Sequence, residues 1–221
     1  MEKSKRVVVC IGTLLVSAIF GYAQSTINYG AGVGQRDVVF NSVPVADGNY
    51  VEIGYFTQGF DIAANAPNLT ALSGAWHELD FTPIQHIFGQ PGRFGANVST
   101  TDGSFDGQKV ALWLFKTSDN AAPASGFGNV SAFGIFSSTS ANWIFPAQTA
   151  MPPNNTTTVA SSEVNQAYWG TFDADTVNGH LNLAPVPEPT TYSLLALAGF
   201  VLLVAREKSR RRDKQAVREP Q

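Results

Sequence analysis

The stretch "KVALWLFKT", residues 109–117, decides how the chain folds. At the two-residue period of a strand, Val110, Leu112 and Leu114 fall on one face and Ala111, Trp113 and Phe115 on the other. Both faces are apolar, so the segment reads as a central strand covered on both sides. Outward from it, "VSAFGIFSS" (130–138), "ANWIFPA" (141–147), "QAYWGTF" (166–172) and "HLNLA" (180–184) read as further strands punctuated by Gly, Asn, Ser and Pro. "DVVFNSVPV" (37–45) and "YVEIGYF" (50–56) flank the turn signal "ADGN" and predict a hairpin. The fold class expected is mainly β, a single β-sandwich or jelly-roll-like domain over residues 24–185. "NLTALSGAWHEL" (68–79) breaks the pattern with Leu72, Ala75, Trp76 and Leu79 at helical spacing behind Asn68 or Thr70 as a cap, and predicts a short helix. Residues 147–165, rich in Pro, Asn and Thr, read as a long exposed loop.

Charge is segregated along the chain. Residues 24–185 carry four basic side chains (Arg36, Arg93, Lys109, Lys116) against twelve acidic ones, a net of −8, although the whole chain is only −3. Such a region repels phosphate backbones, which argues against a nucleic-acid partner. The single cysteine, Cys10, lies near the N-terminus, so disulfides and Cys-based zinc sites are excluded from residues 24–185.

Chemical motifs are sparse there. His77 and His86 stand nine apart, without the HExxH spacing of a zinc protease, and His180 is distant in sequence. No GxSxG elbow is present. In "DGSFDG", Asp102, Ser104 and Asp106 imitate the first positions of a calcium loop. Trp113 then stands where the closing bidentate Glu belongs, so the plainer reading is a turn leading into the strand at Lys109. The expectation is no catalytic residue and no cofactor, with calcium as the candidate ion. Carboxylates for glycoside hydrolysis could come from Glu52, Glu78, Asp80 or Glu163. Core packing explains most of the four tryptophans better than stacking on a sugar, and Trp143 and Trp169, beside Pro- and Asn-rich loops, are the two to test for it.

The two ends share one logic. Lys3, Lys5 and Arg6 precede the apolar run Val7–Phe20, and Gly21 and Ala23 supply small residues before a cut between Ala23 and Gln24, so residues 1–23 read as a signal peptide for the secretion translocon. At the other end, the uncharged run 190–205 is followed by Arg206, Lys208, Arg210, Arg211 and Arg212. By the positive-inside rule both basic clusters stay cytoplasmic, so residues 24–185 are expected to be exported. Sixteen residues at about 1.5 Å each give about 24 Å of helix against a hydrocarbon core of about 30 Å, a span suited to temporary anchoring.

Residues 186–212 also carry a family likeness. "VPEP" (Val186, Pro187, Glu188, Pro189), Thr190 directly after it, the Leu/Ala/Gly run and the basic cluster "REKSRRR" together resemble the PEP-CTERM sorting signal of exported bacterial proteins. That resemblance implies recognition by an exosortase, a membrane-embedded cysteine transpeptidase that removes the tail near the Pro-Glu-Pro, in a Gram-negative bacterium that often makes extracellular polysaccharide. It implies passage through the inner membrane and delivery to the cell envelope, outer surface or extracellular matrix. Residues 213–221 run on past the basic cluster where many such tails stop, and read as a polar cytoplasmic tail. The likeness covers 27 of 221 residues. The function expected is that of a structural or polysaccharide-associated protein, the alternative being a secreted hydrolase acting on carbohydrate or another substrate.

Overall fold

The structure is a computed structural model that describes residues 23–149, 155–187 and Arg206. The expected signal peptide before Ala23, and Glu188, Pro189, the uncharged run and the remaining basic residues of the tail, lie outside the described residues. Among the described residues no helix is long and apolar enough to cross a membrane.

The fold is mainly β. Its elements in order are β1 (Ser25–Ala31), β2 (Asp37–Phe40), β3 (Val43–Pro44), β4 (Tyr50–Phe56), α1 (Ile62–Asn65), α2 (Leu69–Ala75), β5 (Trp76–Pro83), β6 (Gln85–Ile87) and β7 (Gln90–Thr100). They continue as β8 (Ala111–Thr117), β9 (Val130–Ser137), β10 (Asn155–Ala160), β11 (Gln166–Trp169), β12 (Thr171–Phe172), β13 (His180–Asn182) and β14 (Ala184–Pro185). The central sheet runs β11-β9-β8-β4-β5, with β14 sharing the β11 edge of β9. A second sheet runs β10-β1-β7-β6, and a third, small one β12-β13-β2-β3.

β8 is buried on both sides, as its two apolar faces require. Val110, Leu112 and Leu114 join Val51, Ile53 and Tyr55 of β4 in a core shared with Ile27 and Tyr29 of β1, Phe94 of β7 and Leu181 of β13. Ala111, Trp113 and Phe115 face the other way, into a second cluster with Phe56, Leu72, Phe133 and Ile135. An aromatic layer closes that cluster: Trp113 lies 4.9 to 5.9 Å, centroid to centroid, from Phe115, Trp76, Phe127 and Phe56. The helix expected from Asn68 is α2. Asn68 Oδ1 accepts from Ala71 N at 3.0 Å, Leu72 and Ala75 are buried, and the chain then turns into β5 at Trp76, earlier than the helical spacing suggested.

Several expectations are corrected. Residues 37–45 and 50–56 do not form a hairpin: β2 turns back onto β3 through Asn41 and Ser42, both at positive φ, whereas β4 belongs to the central sheet. A two-residue turn with two left-handed residues matches strand twist, so the hairpin closes there, and "ADGN" carries the chain between sheets. Residues 147–165 are no long loop, because β10 pairs in parallel with β1 from Ser25↔Asn155 to Gly30↔Ala160. Its threonines are good strand formers on an edge whose side chains are mostly exposed, so polarity there marks position in the sheet. Residues 141–147 hold a 3-10 turn and a single bridge, Lys109↔Ile144, in place of a strand. Residues 166–172 are broken at Gly170, whose φ of +86° and close approach to Asn182 O (2.5 Å from a Cβ built there) admit only glycine.

Candidate functional site

Two regions carry the residues singled out from the sequence. One is the exit of the chain from the β region. Ala184 and Pro185 pair with Phe133 and Ala132 of β9, and Val186 N donates to Ser131 O at 3.1 Å. The Val186 side chain packs against the aromatic cluster. The last strand among the described residues therefore ends at Pro185, directly before "VPEP", with no intervening linker. Val186 and Pro187 also form part of the wall of an open cavity of about 660 Å³, together with residues 67–70, residues 126–128 and Val130. Among the described residues no titratable side chain lines it.

The second region is the β4–β5 edge of the central sheet. β5 carries one extra residue where Ile53 pairs with Asp80 but Gly54 pairs with Glu78. A Cβ at Gly54 would sit 2.2 Å from His77 O, so only glycine fits opposite the bulge. The bulge splays Glu78 and Asp80 differently. Asp80 Oδ2 accepts from the Tyr29 phenol at 3.0 Å, and burial first, then Asp80, raises the pKa of Tyr29 and keeps it a donor. Glu52 stands opposite Trp113 on one side and Phe81 on the other. Burial, reinforced by the charge of Glu78, pushes Glu52 from 4.5 to about 7, and Glu78 is itself raised by burial and by Asp80. The Trp76 indole pulls the other way, by less than burial and Glu78 push, and its Nε1 is buried without a partner at hydrogen-bond distance.

A carboxyl that binds its proton more tightly folded than unfolded stabilises the fold fully below 4.5, and that stability is lost as the pH rises through 7. The expected loss is about 2–3 kcal/mol, from about 1.4 kcal/mol per pKa unit with allowance for partial exposure. Glu52→Gln should match the wild type in acid and exceed it above neutrality. Urea unfolding across that range checks this, and parallel curves for the two proteins would refute it.

The remaining candidates are dispersed. His77 Nε2 lies 3.0 Å from Thr57 Oγ1, with its ring stacked on Tyr55. His86 Nδ1 pairs with Asp47 at 2.8 Å, and His180 Nδ1 with Asp37. Asp102 Oδ1 accepts from Ser104 N and Asp106 Oδ2 from Gln148 N, so 102–107 is a built turn. Among the described residues no group of three or more His, Asp or Glu side chains is placed to hold a metal ion. Glu163 bonds Trp143 Nε1 and Asn142 Nδ2 through its two oxygens. Trp143 is fully buried in the core and unable to stack on a sugar, which removes it as a stacking candidate. Trp169 is half-buried against Phe133, rings 5.4 Å apart.

Arg36 escaped sequence reasoning, since a lone arginine carries no motif. It is buried, and its guanidinium donates to Ser161 O, Ser162 O, Val164 O and Asp175 O at 2.7 to 3.3 Å and lies over the Phe172 ring. Tyr29 with Asp80, 51 residues apart, left no sequence signal either. No family model, curated protein or solved structure matches this chain.

Proposed function

We propose that the chain is an exported protein of the cell envelope or extracellular matrix, sorted by its C-terminal tail and cut by an exosortase near Pro187–Glu188–Pro189. The observation that carries this reading is the order "VPEP", uncharged run, basic cluster directly after the last strand of a β region. The single sandwich-like region, with its net charge of −8, serves as the cargo. Its role is structural or polysaccharide-associated, and no catalytic residue is assigned. The test is mass spectrometry of the mature C-terminus in wild-type cells and in cells lacking the exosortase. The expected result is loss of Leu194–Arg212 in the wild type alone. A wild-type protein still carrying that segment would leave a plain anchor.

One observation favours the alternative, a secreted hydrolase: Glu52, protonated near neutrality beside Glu78, has the proton affinity of a general acid. Hydrolysis of polysaccharide by the wild type that Glu52→Gln abolishes would establish it.

A further inference from the structure

We propose that β14 and Val186 form a latch that must open before the sorting motif can be cut. This rests on the exosortase reading above. A protease or transpeptidase takes its substrate extended, with backbone groups on both sides of the cut free to pair with the enzyme. Here the residues immediately before Glu188 are already engaged. Ala184 and Pro185 hold the edge of β9, Val186 N is bonded to Ser131 O, and the Val186 side chain is half-buried against the aromatic cluster. Pro185 and Pro187 offer no backbone N–H, so the Val186 amide is the one donor among these three residues.

Nothing separates this latch from the motif, so the enzyme meets a closed strand unless the edge lifts. When opening is fast relative to cutting, the rate follows the population of the open form. One net backbone hydrogen bond and a half-buried valine hold that population to about one in ten. The latch closes only when β9 is folded, so unfolded cargo is cut faster than folded cargo.

The experiment is a pulse-chase of tail removal in cells containing the exosortase, read by C-terminal mass spectrometry. The full-length wild type is compared with a Gly-Ser-Gly-Ser insertion between Pro185 and Val186, and with Ala184→Pro. The insertion leaves the spacing between the motif and the uncharged run intact. It should speed removal about tenfold, and Ala184→Pro, which takes from β14 its only amide and leaves the motif and the chain length unchanged, should speed it several-fold. Thermal melting of each product shows whether the β region stayed folded; if the insertion unfolds it, the comparison is read from Ala184→Pro. Unchanged rates in both variants would overturn the latch, as would acceleration by the insertion alone, which signals crowding at the membrane. Absence of cutting in every chain, wild type included, would refute the sorting reading itself.

Discussion

Arg36→Leu is expected to lower the unfolding free energy by about 3–5 kcal/mol, enough to unfold an ordinary domain of marginal stability. The guanidinium fills a gap between β2 and the segment 161–164, where three carbonyls converge on one nitrogen and a fourth, from Asp175, meets Nε. Ser161 closes the circuit by donating its hydroxyl to Arg36 O at 2.7 Å. Leucine preserves much of the stem volume but leaves these carbonyls dry, at about 1–3 kcal/mol for each one truly unsatisfied. Arg36→Lys should recover part of the loss, because an ammonium has three donors but lacks the planar fork. Equilibrium urea unfolding of the three proteins measures this. A Leu variant within about 0.5 kcal/mol of wild type would mean that water replaces the guanidinium at no cost.

Trp113→Ala is expected to cost a similar amount, about 3–5 kcal/mol. Trp113 is 1% exposed, and four aromatic rings lie within 6 Å of its own. The neighbouring rings come from the central sheet, the start of β5 and the loop before β9, so they cannot collapse together into the void. Trp113→Phe should cost about 1 kcal/mol or less. It keeps one ring in place and removes an indole N–H that is buried with no acceptor, so the lost contact area is offset by relief of an unpaired donor. The ordering Ala far below Phe, by shift in urea midpoint, is the result to look for. Equal losses would show that the indole N–H matters more than the packing.

These two residues mark the limits of what a sequence reveals. Trp113 sits in a run whose alternation makes both faces apolar, so its burial was legible at once. Arg36 lies at the polar start of "GQRDVVF", just before β2, and its partners come from residues 161–164 and 175, more than a hundred positions away. Edge strands fell between these cases. β10 hid behind a Thr/Asn composition because an edge strand with one wet face needs few apolar side chains. The carboxylate edge was legible only as a set of residue types. It took the bulge in β5 to send Asp80 to the Tyr29 phenol and to leave Glu52 between Trp113 and Phe81.

The sequence by itself determined the β class, the doubly covered central strand and the segregation of charge, because each follows from composition and period within a few residues. It also carried the order of "VPEP", uncharged run and basic cluster, the linear pattern on which the proposed sorting role rests. The tertiary structure alone decided which strands pair, since pairing is a contest among distant segments for the same hydrogen bonds. It alone showed that Trp143 is core, that burial raises the pKa of Glu52, and that "VPEP" begins where β14 is pinned to β9. Burial and electrostatics at a residue depend on what the rest of the chain places around it, and no local pattern records that.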